Sequence, residues 1–173
     1  TADGLGIRVG NYGAGPGTIS VTANNVYATN SYGIYTYQAN GNGITVTVDD
    51  VVTSISGTGI RTFSNGTGDT VIPTTNAAGA AYVFAGTTGI NAYSGSSTGA
   101  LTISTNNVRA YAGDGIYGFQ LGSGDLTITA TNAFGSARVE GSNRGIDARN
   151  YGTGALSITA DDVYALNGAG IYA

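Results

Sequence analysis

The sequence predicts an all-β fold, a right-handed parallel β-helix of about six coils, and three observations carry that expectation. A Gly-Ile dipeptide recurs with its isoleucine at Ile7, Ile34, Ile60, Ile90, Ile116, Ile146 and Ile171, at intervals of 27, 26, 30, 26, 30 and 25 residues. A second marker, an Asn or Asp closing an alternating run, falls at Asn25, Asp50, Asn76, Asn107, Asn132 and Asp162, at intervals of 25, 26, 31, 25 and 30. Nothing in the chain keeps the 3.6-residue period of an amphipathic helix.

Each repeat of 25 to 31 residues reads as three short strands. The first opens at Gly-Ile, as in Gly145-Ile146-Asp147-Ala148-Arg149, and a Gly-rich turn such as Gly152-Thr153-Gly154 closes it. The second alternates apolar residues with Ser or Thr: Ile19, Val21, Ala23; Ile44, Val46, Val48; Leu101, Ile103, Thr105; Leu126, Ile128, Ala130; Leu156, Ile158, Ala160. That two-residue period belongs to a strand with one buried face. The third starts after the Asn/Asp marker, at Val26, Val51, Val108 and Val163. Asn suits the bend because it tolerates left-handed backbone and its amide reaches the next Asn of the ladder.

A coil is favoured over a sandwich because hairpin-paired strands need no residue repeated at this period. In a coil each residue sits over its counterpart one turn below, so like stacks on like at about 4.8 Å, and six turns span roughly 29 Å. Small inward residues, Ala92, Gly118 and Ala148, suit a narrow interior. The two 30-residue turns are expected to bulge over 77–88 and 133–144. In the third coil, Asp69-Thr70-Val71-Ile72-Pro73-Thr74 breaks the alternation. Pro73 has no N–H for the ladder, so a local defect is expected there.

Residues 1–173 read as a single repeat domain. Residues 1–6 resemble 166–170, the approach to the last Gly-Ile, and Gly170-Ile171-Tyr172-Ala173 starts a further turn. Uncapped strand edges recruit further strands, so the expectation is a segment of a longer chain or a unit that stacks head to tail.

Composition narrows the function classes. Charged residues are 9% of the chain, the net charge is −4, and the six cationic residues are scattered arginines. With no basic stripe, nucleic acid is not an expected partner. No apolar run approaches the roughly 18 residues of a membrane span. The chain has no Cys, excluding a disulfide framework and zinc-thiolate sites, which fits bacterial export. No cofactor is implied.

Phrases such as Gly154-Ala155-Leu156-Ser157-Ile158-Thr159-Ala160-Asp161-Asp162-Val163 and Gly115-Ile116-Tyr117 resemble repeats in the passenger domains of large bacterial autotransporters, the type V secreted adhesins. Coils of filamentous-haemagglutinin type are similar. The resemblance covers the whole chain and implies a secreted right-handed β-helix at the bacterial surface, with an adhesive or stalk role. The expected function is therefore a non-enzymatic, extracellular cell-surface adhesin or stalk segment, with a structural filament subunit as the alternative. Expected partners are further copies of the chain, end to end or laterally, or a glycan or protein of a host or neighbouring surface.

Each candidate site has a plain structural alternative. Without histidine a Ser/His/Asp triad is excluded. Asp49-Asp50 and Asp161-Asp162 are the acidic pairs a polysaccharide-active enzyme would need, yet they occupy the bend position of Asn24-Asn25 and Asn106-Asn107. Four turns, about 19 Å, separate them, beyond the roughly 5 to 9.5 Å of glycosidase carboxylates. Gly66-Thr67-Gly68-Asp69 and Gly122-Ser123-Gly124-Asp125 have the look of calcium-repeat fragments without the tandem spacing, and turn chemistry is the expected role. The Ser/Thr face of the second strand resembles ice-binding solenoids but is interrupted at Val71 and Pro73. The sharpest signal is outward on the first strand. Three residues after each Ile stand Gly10, Tyr37, Phe63, Tyr93, Phe119 and Arg149, beside Arg8, Tyr35, Arg61, Asn91, Tyr117 and Asp147. Tyr37, Phe63, Tyr93 and Phe119, flanked by Tyr35 and Tyr117, form the candidate contact surface; the plain alternative is stacking that stabilises the sheet.

Overall fold

The structure, a computed structural model, describes residues 4–95 and 98–173. The chain winds into about six coils, and every strand pairing among the described residues is parallel. The first strands form one seven-stranded sheet: Ile7–Asn11, Ile34–Gln38, Ile60–Ser64, Ile90–Ser94, Ile116–Gln120, Ile146–Asn150 and Ile171–Tyr172. Its register places each Gly-Ile isoleucine directly on the next, from Ile7 and Ile34 through to Ile146 and Ile171. Coils of unequal length thus return to the same position.

The second and third strands make a ten-stranded sheet that bends between two ladders. In the first two coils they run on as single strands, Ile19–Ala28 and Ile44–Ser54, with a register shift at the bend. In later coils they separate, as in Leu101–Thr105 and Asn107–Ala110. Stacked inward columns of Ile, Leu and Val from all three strands fill the interior, where Ile34, Ile60, Ile103, Ile116, Ile128 and Ile146 are fully buried. Gly118 is small for a packing reason: an added Cβ would lie 3.2 Å from Ile128 Cδ1 and 3.3 Å from Leu126 Cδ1.

Buried amides pin the Gly-rich turns. Gln38 Nε2 donates to the Gly17 carbonyl at 2.7 Å, Gln120 Nε2 to Gly99 at 2.9 Å, and Asn150 Nδ2 to Gly154 at 2.7 Å. Each gives a carbonyl of a tight turn a side-chain donor.

Several expectations need correction. The inward valine of the third strand in coil two is Val52, which pairs with Val26 and Val83, whereas Val51 stands over Asn25. The long coils bulge over only the first part of 77–88 and of 133–144. Their inserts lie at 75–81 and 131–137, and Tyr82–Ala85 and Arg138–Gly141 are in-register third strands. The bend residues do not use left-handed backbone: among the described residues only Gly41, Gly43 and Gly79 have positive φ. Residues 1–3 of the leading segment lie outside the described residues.

Thr70–Thr74 pairs along its full length with Leu101–Thr105, but with the preceding coil only at Ile44–Thr70 and Thr45–Val71. Ile44 N–H donates to the Asp69 carbonyl, so two-residue alternation directs Val71 and Pro73 toward that same coil. Pro73 is where the missing donor falls, and the ladder stops before it.

Candidate contact surface

The first-strand sheet stacks its outward residues as strictly as its core. Tyr37, Phe63, Tyr93 and Phe119 are consecutive register partners. Their ring centroids are 5.4, 4.5 and 5.2 Å apart, with interplanar angles of 10°, 4° and 8°. Parallel strands repeat at about the thickness of an offset aromatic stack, so the sheet imposes the arrangement at little conformational cost.

The stack is longer than those four residues. Tyr12 lies 5.1 Å from Tyr37, and Tyr151 lies 5.4 Å from Phe119 at 45°, giving six successive rings. Both occupy the fifth position after the Gly-Ile isoleucine, in the two coils whose third position is Gly10 or Arg149. Glycine at position 10 leaves the space into which the Tyr12 ring folds back: a Cβ there would sit 2.5 Å from that ring. The exchange of aromatics between the third and fifth positions is visible in the sequence once the two are compared together. Tyr12 and Tyr151 are 63% and 67% exposed, whereas the four central rings are half-buried.

This geometry decides what the column offers a partner. Each central ring has both faces covered by neighbours, so its edge, with the hydroxyl of Tyr37 or Tyr93, meets solvent. Ring edges carry the positive side of the aromatic quadrupole. The column therefore favours oxygen acceptors and aromatic faces along its length and leaves stacking surface mainly at Tyr12 and Tyr151.

The flanking column is a cation–π fringe. Arg8 lies 5.8 Å over Tyr35, Tyr35 stacks on Tyr32 at 5.1 Å, and Arg61 lies 5.5 Å over Tyr32 while bonding its hydroxyl at 2.8 Å. Tyr117 stacks 6.2 Å from Phe119, and Arg149 lies 5.6 Å over Tyr117. Burial pushes the Tyr117 hydroxyl above the ordinary phenol range, with Arg149 opposing. Asp147 is fully buried although it points outward, because Arg144 and Arg149 close over it. Arg149 grips both its oxygens, at 2.9 and 2.8 Å, and those bonds raise the Arg149 pKa.

The bend residues form a ladder that steps between two neighbouring positions. Asn25 Nδ2 donates to Asp50 Oδ2 at 3.1 Å, and Asn76 Nδ2 to the Asp49 carbonyl at 2.8 Å. Asn106 Oδ1 accepts from Asn76 N–H, and Asp161 Oδ2 from Asn132 N–H. Asn107 and Asp162 stand one residue further on, opening the third strands. Asp69 and Asp125, in the Gly-rich turns, accept backbone N–H bonds from Ala100 at 2.8 Å and Ala155 at 2.7 Å in the following coil.

Compared with protein-family models, curated proteins and solved structures, the chain gives no match. Among the described residues, no helix is long and apolar enough to cross a membrane.

Proposed function

We propose that this chain is a non-enzymatic, extracellular segment of a bacterial surface adhesin or stalk, and that its aromatic column is the contact surface. The observation that supports the reading is the unbroken run of six rings, Tyr12 to Tyr151, along one face of a solenoid. A core of stacked Ile and Val columns makes the face rigid, so little conformational entropy is lost when a partner docks. Low charge leaves the contact to ring edges, hydroxyls and the arginine fringe. The resemblance of the coils to autotransporter passenger repeats supports the surface location.

The test is the double substitution Tyr93→Ser/Phe119→Ser, which removes two adjacent central rings. Adhesion to immobilised glycan and protein surfaces, and lateral self-association, should fall to background while circular dichroism stays β-rich. Undiminished binding and association would leave the column a purely structural feature and contradict the proposal.

A further inference from the structure

The third-strand face of coils three to five differs from the rest of the surface. It combines Arg109 and Arg138 with Glu140, the chain's only glutamate, and two inserts flank it. In solenoids, insertions within repeats tend to rim the binding face.

The local backbone builds a depression here. Tyr82, Asn107 and Arg138 are successive residues of one outward column, followed by Asp162. Asn107 does not project from it. Its Nδ2 donates to the carbonyls of Gly79 and Ala81 at 3.3 and 3.4 Å, and its Oδ1 accepts from Arg138 N–H at 3.1 Å. That leaves an open floor between the walls formed by Tyr82 and Arg138, two strand spacings or about 10 Å apart. Val108, Arg109 and Glu140 complete the lining.

The rim is tied down. Asn132 Nδ2, at the start of the coil-five insert, donates to Gly79 O of the coil-three insert at 3.0 Å, bridging over coil four. Gly79 has φ +67°, and a Cβ there would collide with the Asn132 amide, so the closure requires glycine.

Two cations face into this space. Glu140 Oε1 lies 3.5 Å from Arg109 Nε and Oε2 lies 3.4 Å from Arg138 Nη2, so each carboxylate oxygen serves one guanidinium by a single long contact. Tyrosine rings orient both: Arg109 lies 5.5 Å over Tyr111, and Arg138 lies 5.5 Å over Tyr164. Their side chains are 46% and 53% exposed, against 25% for Glu140, and the lining carries a net charge of +1. Burial pushes the Tyr82 hydroxyl above the ordinary phenol range, with Arg109, which hydrogen-bonds it, opposing.

We propose that this depression binds an acidic saccharide, its carboxylate or sulfate taken by the half-exposed guanidiniums of Arg109 and Arg138. Planar guanidinium forks match such anions, and the flanking tyrosines suit a polar ring with apolar faces. Glu140 bridges the two guanidiniums and opposes the incoming anion. The site is separate from the aromatic column.

The experiment is calorimetric titration of the full chain with trigalacturonate, its methyl ester and sodium sulfate. Trigalacturonate should bind, more weakly as salt is raised, and the ester about tenfold more weakly than the acid. Arg109→Gln/Arg138→Gln should lower affinity about tenfold or more, whereas Glu140→Gln should raise it severalfold, because a charge opposing the ligand is gone. The Tyr93→Ser/Phe119→Ser variant should bind trigalacturonate normally, which separates this site from the proposed contact column. Thermal melts establish that each variant is folded. Absence of trigalacturonate binding, equal binding of the ester, sulfate binding as tightly as the saccharide, or weaker binding in Glu140→Gln would overturn the proposal.

Discussion

The two sheets are wound from the same coils, yet they keep order in different ways. The first-strand sheet is uninterrupted: five residues pair with five from Ile7–Asn11 to Ile146–Asn150, without insertion, and its outward face repeats one aromatic column. The second and third strands lose ladder pairing at Pro73, take both inserts, and carry on their outward side the Arg109–Glu140–Arg138 cluster. Inward columns of apolar residues are common to both. The difference teaches that the inward columns suffice to keep the register, while the outward face of the second and third strands and the bends are free to vary from coil to coil. A coil therefore tolerates extra residues where its chain leaves one ladder for the next, since inserted backbone there meets water rather than core.

The comparison breaks most completely in the core. Ile103→Asp places an unpaired carboxylate in a fully buried column of the ten-stranded sheet, and should abolish cooperative folding, as measured by circular dichroism melts. The milder Ile103→Ala should cost about 2–5 kcal/mol in a denaturant titration. A fully folded Ile103→Asp variant with unchanged stability would show that the interior does not set the register.

A second substitution should reduce the asymmetry. Pro73→Thr restores the N–H toward the preceding coil and extends the Ser/Thr pattern of the second strand. The expected gain is about 1 kcal/mol, less the stabilisation that proline gives by restricting the unfolded chain. The amide created at residue 73 should be protected, and exchange should slow along the 44–48 edge facing it. Unchanged exchange there would mean that the lost pairing has another cause.

The smallest expected effect is on pH. Burial raises the folded-state pKa of Tyr82 and Tyr117 above the ordinary 10.0. Between the unfolded and folded values the native state retains a proton that the unfolded chain has lost. The stability these groups contribute is thus complete below about pH 10 and declines as pH rises through the folded values. Melting temperature should be flat from neutral to mildly alkaline pH and then fall. Tyr82→Phe/Tyr117→Phe should make the fall shallower; an identical fall in that variant would assign it to other groups.

Much of this fold was legible in the sequence because like stacks on like. The Ile column, the alternating second strand and the four central rings repeat one residue type at one position, and a period survives in the sequence. Features without a repeated residue were hidden. Val51-Val52 offers two β-branched candidates for one inward position, so alternation could not choose between them. Tyr82-Val83-Phe84-Ala85 is apolar on both faces, and Arg138-Val139-Glu140-Gly141 holds a single large apolar residue, so neither announces its strand. Tyr12 and Tyr151 join the stack from a different position of the repeat, legible only by comparing two columns. The Arg109–Glu140–Arg138 cluster assembles from two coils across an insert, and only the register brings it together.

That register is therefore the most direct thing to measure. Nitroxide labels on cysteines introduced at Thr45 and Thr102 sit two coils apart on the outward face of the second ladder, although 57 residues separate them and the defective third coil lies between. Labels at Thr45 and Thr127 sit three coils apart. Electron paramagnetic resonance should give backbone separations of about 10 and 14 Å, one strand spacing per coil whatever its length. Separations that grow with the number of intervening residues, or a pair beyond 20 Å, would contradict the stacked-coil account and both surfaces built on it.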